Sequence, residues 1–235
     1  AFGQDAPAAP TQTALSQTGT ASTVATGLDR AMRMTVPVTI NGKGPFNFVI
    51  DTGADRTVIS EELAKELGLR KTDTATLHAM GGSSVVSIVK IDTLQVSTNI
   101  AHKVRAAALP ARYVGADGLL GIDSLKGQRV VMDFVANTLR VEPASTPEEA
   151  VPANGDVIVV TAKTRLGQLV MVDADANGEK VWVVVDTGAQ NTVANSKLRR
   201  LLVKNNPRTE IKVVNMIDVL GRNTPADYTI VGKLR

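Results

Sequence analysis

The sequence predicts a mainly β protein made of two related lobes, and three observations carry that expectation. Apolar and polar side chains alternate from Met34 through Val36, Val38 and Ile40, the two-residue period of a half-buried strand. An Asn-Gly pair, at Asn41-Gly42 and again at Asn177-Gly178, separates such runs, as in a tight hairpin turn. The order strand, Asn-Gly turn, strand, Asp then occurs once in each half of the chain, so the architecture reads as an internal duplication.

Composition bounds the chemistry. Of 235 residues, 43% are hydrophobic and 21% charged, a globular profile. The lack of Cys excludes disulfides, thiolate metal sites and a Cys nucleophile. Only two histidines, His78 and His102, are present, which leaves almost no room for His-based metal or triad chemistry. Carboxylates, hydroxyls and backbone remain. Lys and Arg number 26 against 23 Asp and Glu, and the net +3 comes without a long basic run. With an aromatic content of 3%, too low for a stacking platform, no nucleic-acid partner is expected. The longest aliphatic and aromatic stretches, such as Val181 to Val185, fall far short of the roughly 20 residues that span a bilayer, so no membrane span is expected.

Residues 1–30, rich in Ala, Thr, Ser, Gln and Pro without apolar periodicity, read as a flexible tail. The opening Ala1-Phe2-Gly3-Gln4-Asp5-Ala6-Pro7 suits the start of a mature protein whose signal peptide has been removed. Together with the lack of Cys, it leads to an expectation of a periplasmic or otherwise exported location. A first lobe is expected over 31–144. Its hairpin runs from Met34 to Ile50, with Gly44-Pro45 lengthening the loop beyond the minimal turn. Ser60 as N-cap, Glu61 and Glu62 in the first turn and Gly68 at the end predict a short helix. Strands follow at Val85–Ile91, Leu94–Val96 and Val130–Val141, with Gly81-Gly82 at a hairpin tip. The stretch from Pro143 to Pro152 interrupts the pattern and places a linker at 145–156, before a second lobe at 157–235. In that lobe Leu198, Leu201 and Leu202 mark a helix whose Lys197, Arg199, Arg200 and Lys204 form a solvated face, and Trp182 is expected to pack in the sheet. Asp173, Asp175, Asn177 and Gly178 open like a calcium loop but reach Val184 at the twelfth position, so a hairpin turn and no metal site is expected.

Two copies of one motif carry the chemistry. Phe48-Val49-Ile50-Asp51-Thr52-Gly53-Ala54 and Val183-Val184-Val185-Asp186-Thr187-Gly188-Ala189 each lead from three apolar residues into Asp-Thr-Gly-Ala, with Thr57-Val58 and Thr192-Val193 at equal spacing beyond. An apolar strand that delivers an Asp into a Gly turn sets a carboxylate at the end of a buried element, where its proton affinity is controlled. The Gly lets backbone amides approach the carboxylate, and the Thr hydroxyl ties the loop to neighbouring backbone. Brought face to face by a pseudo-twofold axis, two such carboxylates cannot both ionise cheaply and hold one proton between them. The ionised partner takes a proton from a water that attacks a peptide carbonyl, and the protonated partner donates to the carbonyl oxygen. That chemistry calls for no metal or organic cofactor.

The motif resembles that of retropepsin-like aspartic proteases. The resemblance implies two mainly β acid-protease barrel lobes with short helices and a catalytic pair of Asp51 and Asp186. It implies that Thr52, Gly53, Ala54, Thr187, Gly188 and Ala189 support the catalytic loops, with Thr52 and Thr187 bracing one loop against the other. Gly118-Leu119-Leu120-Gly121-Ile122-Asp123-Ser124-Leu125 resembles the apolar-apolar-Gly segment that threads beside the catalytic loop and leads to a short helix. His78-Ala79-Met80-Gly81-Gly82-Ser83-Ser84-Val85 resembles the glycine-tipped flap, so Met80, Gly81 and Gly82 are expected to meet an extended protein or peptide substrate. Some members pair an Asp at the position of Asp55 with an Arg after the apolar-apolar-Gly segment; here that place is Ile122, and Asp55 is a candidate substrate contact.

The second copy differs. Asp55 and Arg56 become Gln190 and Asn191, and a flap is expected near Leu220-Gly221-Arg222-Asn223. Aligning Ile91-Asp92-Thr93-Leu94 with Val231-Gly232-Lys233-Leu234 leaves Gly118-Leu119-Leu120-Gly121 without a counterpart, so the second lobe reads as C-terminally incomplete, with apolar surface exposed. The expected function is an aspartic endopeptidase working as a two-lobed monomer. The alternatives are a homodimer of the first lobe using two copies of Asp51, and a non-catalytic peptide-binding or scaffold module that kept the fold.

Overall fold

The structure is a computed structural model and describes residues 22–29, 31–125, 128–133, 136, 138–143, 157–161, 164–165 and 168–231. The linker expected at 145–156, most of the tail, and the segment from Gly232 onward lie outside the described residues.

The first lobe opens with β1 (Ser22–Ala25), β2 (Gly27–Leu28), β3 (Met34–Ile40), β4 (Lys43–Ile50) and β5 (Val58–Ser60). Helix α1 (Glu61–Glu66) follows, capped by Ser60, whose hydroxyl accepts the Leu63 amide. Then come β6 (Lys71–Ala79), β7 (Gly82–Val96), β8 (Asn99–Leu109), the one-turn helix α2 (Ala111–Val114) and β9 (Gly118–Leu120), which leads into a 3-10 turn over Ile122–Ser124. Strands β3, β4, β9, β5, β8 and β7 are hydrogen-bonded in that order, and β7 pairs back to β3 through Thr39↔Gln95 and Ile40↔Leu94, closing a six-stranded barrel. Strand β9 is inserted parallel to β4, with Phe48↔Gly118, Val49↔Leu119 and Ile50↔Leu120 in register.

The alternation of strand side chains divides two apolar clusters between the faces of this wall. Phe48, Ile50, Ile59, Ala106, Ala108, Leu120, Val89 and Ile91 belong to the larger cluster. Their chain neighbours Val49, Val58, Ala107, Leu109, Leu119 and Ile88 belong to a second one. Two residues from the far end of the chain, Val219 and Leu220, pack against that second cluster, so it faces the second lobe.

Three further strands join the halves of the chain. Strands β10 (Gln128–Asp133), β11 (Thr138–Pro143) and β12 (Val157–Thr161) combine with β1 into a sheet of order β1-β11-β10-β12. The second lobe then consists of β13 (Thr164–Arg165), β14 (Gln168–Ala176), β15 (Glu179–Val184), α3 (Ser196–Asn205) and a separate hairpin of β16 (Lys212–Ile217) and β17 (Asn223–Tyr228). Asn195 caps α3, which is held to its surroundings by Asn205 Nδ2 donating to Glu179 at 2.7 Å and by the Arg199–Asp227 ion pair.

Several sequence expectations change here. The turn at Asn41-Gly42 is the minimal one, with φ of 49° and 77°, and Gly44-Pro45 lie inside β4, where a bulge opposite Thr39 absorbs the extra residue. The segments at Val85–Ile91 and Leu94–Val96 are parts of one 15-residue strand, because β6, β8 and β3 pair along its whole length. Val130–Val141 is a hairpin, with Asp133 Oδ1 accepting the Ala136 amide at its turn. Residues 22–28, placed in the tail by their polar composition, pair with β11 and β3, so backbone ladders hold them where an apolar face does not. Trp182 lies on β15 with 65% of its surface exposed, since β15 has β14 alone as a strand neighbour among the described residues.

Candidate active site

Both Asp-Thr-Gly-Ala loops sit where an apolar strand ends, and they meet. In the first, the Asp51 amide donates to Leu120 O at 3.1 Å and the Ile122 amide to Ala54 O at 2.9 Å, so β9 and the 3-10 turn after it hold the loop from both sides. Gly53 N donates to Asp51 Oδ1 at 3.0 Å. In the second, Gly188 N and Ala189 N donate to Asp186 Oδ1 at 3.0 and 3.1 Å. The carboxylates lie against the opposite loop's glycine: a Cβ on Gly53 would stand 2.5 Å from Asp186 Cγ, and one on Gly188 2.4 Å from Asp51 Cγ. Any larger residue at either position would push the two loops apart.

The threonines cross-link the loops. Thr52 Oγ1 donates to Val185 O and Thr187 Oγ1 to Ile50 O, both at 2.6 Å. The Thr52 amide donates to Thr187 Oγ1 at 3.2 Å and the Thr187 amide to Thr52 Oγ1 at 3.1 Å. Each hydroxyl proton is thereby committed to a carbonyl, and the 3.3 Å approach of the two hydroxyl oxygens is a consequence of these four bonds. Thr52 is 1% exposed, so losing a partner here would leave buried backbone groups unsatisfied.

Burial first, and then the negative charge of Asp186, push the Asp51 carboxyl up to about 6, against the opposing pull of the Gly53 and Ala54 amides. A carboxyl with that proton affinity can hold a proton where an ordinary one would not, which is what a general acid needs.

Beneath the first loop lies a support that sequence reasoning left without a role. Asp123 Oδ1 accepts the Thr57 amide and hydroxyl, each at 2.8 Å, and the Ser124 amide at 2.9 Å, while Gly121 N donates to Thr57 Oγ1 at 3.3 Å. Burial raises the Asp123 carboxyl, and the Thr57 hydroxyl and amide work against it. The signal was present in the Thr-Val repeat after each Asp-Thr-Gly-Ala. In the second copy the counterpart of Thr57, Thr192, is exposed.

Met80, Gly81 and Gly82, expected as a flap, lie at the turn between β6 and β7. Met80 is 58% exposed, and the Gly81 peptide bonds to Asp218 and Arg222 of the second lobe. His78 Nδ1 stands 2.8 Å from Ser83 Oγ across the flap, a local bond that gives it no part in the carboxylate pair. Asp55 is exposed at the end of the first loop, and Ile122 contributes its amide to that loop. Among the described residues no group of His, Cys, Asp and Glu is arranged to hold a metal, and no helix is long and apolar enough to cross a membrane.

The first lobe is thus a closed six-stranded barrel that sets an Asp-Thr-Gly-Ala loop beside a parallel apolar-apolar-Gly strand. Residues 36–124, most of this first lobe, match the family described as aspartyl protease. The chain is also 29% identical over 119 residues to the DNA damage-inducible protein 1 of Cryptococcus neoformans var. neoformans serotype D, in two strains. That alignment covers 48% of this chain and spans about a quarter, 26%, of the relatives' length. Among solved structures, a retropepsin-like aspartic protease from Rickettsia conorii is similar at 17% identity and a TM-score of 0.38, over 53% of this chain and 93% of that one.

Proposed function

We propose that the chain is an aspartic endopeptidase whose catalytic pair is Asp51 and Asp186, contributed by the two halves of one chain. The observation that carries this reading is the reciprocal bonding of Thr52 and Thr187, which holds each carboxylate against the other loop's glycine. The Gly53 amide bonded to Asp51 and the Gly188 and Ala189 amides bonded to Asp186 orient the two carboxylates. With one proton on the pair, one oxygen accepts a proton from the attacking water while the other carboxyl donates to the scissile carbonyl. The tetrahedral intermediate then collapses with proton return to the leaving amine. Because the site of the first loop's partner is taken by residues 186–189 of the same chain, the arrangement favours a monomeric dyad over a homodimer of the first lobe.

The test is cleavage of an unbiased peptide library, with and without a peptide carrying a tetrahedral hydroxyl as transition-state mimic. Inhibitor-sensitive cleavage that falls by at least about a thousandfold in both Asp51→Asn and Asp186→Asn is expected, since neither carboxylate can replace the other. Undiminished turnover in either variant would overturn the dyad, and loss with Asp51→Asn alone would favour two copies of the first lobe. A second reading, a non-catalytic peptide-binding module, is favoured by one observation: β15 has no counterpart of β9 beside it among the described residues. It requires peptide binding without cleavage, insensitive to either Asp→Asn change.

A further inference from the structure

The tips of the two lobes' hairpins grip one another. Gly81 N of the flap donates to Asp218 Oδ2 at 2.9 Å, and Gly81 O accepts from Arg222 Nη1 at 3.2 Å, so both polar groups of one residue are taken by the second lobe. Arg222 Nη2 also donates to Ser83 O and reaches Ser84 Oγ at 3.4 Å. The acceptor is pre-set: Asp218 Oδ1 takes the Leu220 and Arg222 amides, both at 2.9 Å, and Asp218 N bonds Arg222 O at 3.1 Å, so the tip holds its shape through its own bonds. The fit is close, since a Cβ on Gly81 would stand 2.7 Å from Asp218 Oδ2 and 3.0 Å from Thr224 Oγ1. Between Asp218 and Arg222, Val219 and Leu220 lie on the outer cluster of the first lobe, which includes Val49, two residues before Asp51, and its register partner Leu119.

We propose that Asp218 and Arg222 are positioning residues that lock the flap of the first lobe to the second, so that the second lobe's hairpin sets the closure of the cleft over the carboxylate pair. The duplicated architecture leads to a flap near Leu220-Gly221-Arg222-Asn223 but not to this contact with the first lobe. The lock is asymmetric: one tip supplies the backbone groups, the other the charged side chains. Charge-assisted bonds to the N–H and the C=O of one residue, which lie in the two successive peptide planes that flank it, fix the orientation of the tip as well as its distance, which a single contact between apolar tips would not do. A substrate chain entering under the flap must wait for this grip to open and is enclosed when it reforms. The proposal rests on the reading of Asp51 and Asp186 as the catalytic pair for its enzymatic consequence, but the lock itself is measurable without turnover.

Because the chain contains no Cys, a spin-label pair can be placed freely, at Thr76→Cys on β6 and Asn215→Cys on β16, both exposed. Double electron–electron resonance on the full chain should give one narrow distance distribution. Arg222→Ala and Gly81→Ala should broaden it and shift it outward, as should Asp218→Asn, which puts an NH2 donor in place of one of the two acceptor oxygens the contact uses. Neither Arg222 nor Gly81 uses its side chain to shape the second tip, so folding, checked by thermal unfolding, survives these changes. In peptide cleavage, Arg222→Ala should raise KM about tenfold with a smaller change in kcat, the loss of a charge-assisted bond made on closure, and Arg222→Lys should recover part of it. Unchanged distances in Arg222→Ala and Gly81→Ala overturn the lock, as does lost cleavage with unchanged distances. If the parent chain cleaves nothing, the protease reading fails, and the distance measurement still decides the lock.

Discussion

Asp51 combines two demands that pull against each other. Its carboxyl is raised from 3.8 to about 6 by burial and by Asp186, so the folded state binds its proton more tightly than the unfolded chain does. For a raised acid the sign is fixed: the folded state is favoured most below the ordinary carboxylate range, and stability falls as pH rises from about 4 to about 6, then stays lower. Asp51→Asn removes this penalty. Its denaturation midpoint at neutral pH should therefore exceed that of the parent, by a free energy on the order of 2 kcal/mol, and the gain should vanish in acid. An equal gain at both pH values would show that the charge is not the cause. Turnover should fall as pH rises through about 6, as the pair loses its shared proton. The two loops that meet here were legible in the sequence, because Asp-Thr-Gly-Ala occurs twice with matched flanks. Asp123 was not, because its partner Thr57 lies 66 residues away and only the fold brings the two within 2.8 Å.

At the level of the element, β9 does more for the site than its three residues suggest. It pairs with β4 and β5 at once and presents Leu120 O to the Asp51 amide. Gly118 makes this possible: a Cβ there would lie 2.2 Å from Phe48 Cε1 and 2.5 Å from Val58 O. Gly118→Ala should thus lower stability by about 1–3 kcal/mol, the range for overpacking, and reduce turnover with it because the loop loses its register. A variant with parental midpoint and parental kcat would show that the wall yields at no cost. Elements were legible in proportion to how local their determinants are. The Asn41-Gly42 hairpin and the capped helix α1 carry their signals within a few residues, whereas β1 and β2 are polar segments that owe their conformation to β11 and β3. The break between β10 and β11 was hidden for the same reason, since apolar spacing continues through it.

Across the whole molecule the two halves are unequal. The first lobe has a closed barrel and a deep core, while the second exposes Val213 at 73%, Ile217 at 71% and Trp182 at 65%. Trp182 is the only tryptophan of the chain, so its fluorescence reports this face without ambiguity. Emission near that of a water-exposed indole and efficient quenching by acrylamide are expected, and a blue-shifted, protected signal would mean that something covers β15. The inequality also bears on synthesis. The bond from Asp51 to Leu120 spans most of the first lobe, so that loop cannot take its shape on a ribosome before residue 120 has emerged, and contacts of such range form slowly. Asp186 follows 66 residues behind Leu120, which at roughly 5–20 residues per second is a wait on the order of several seconds. During that interval a folded first lobe stands alone with its carboxyl unpaired. On the proposed pairing of Asp51 with Asp186, the dyad exists only once the second half of the chain arrives, a delay written into the order of the strands.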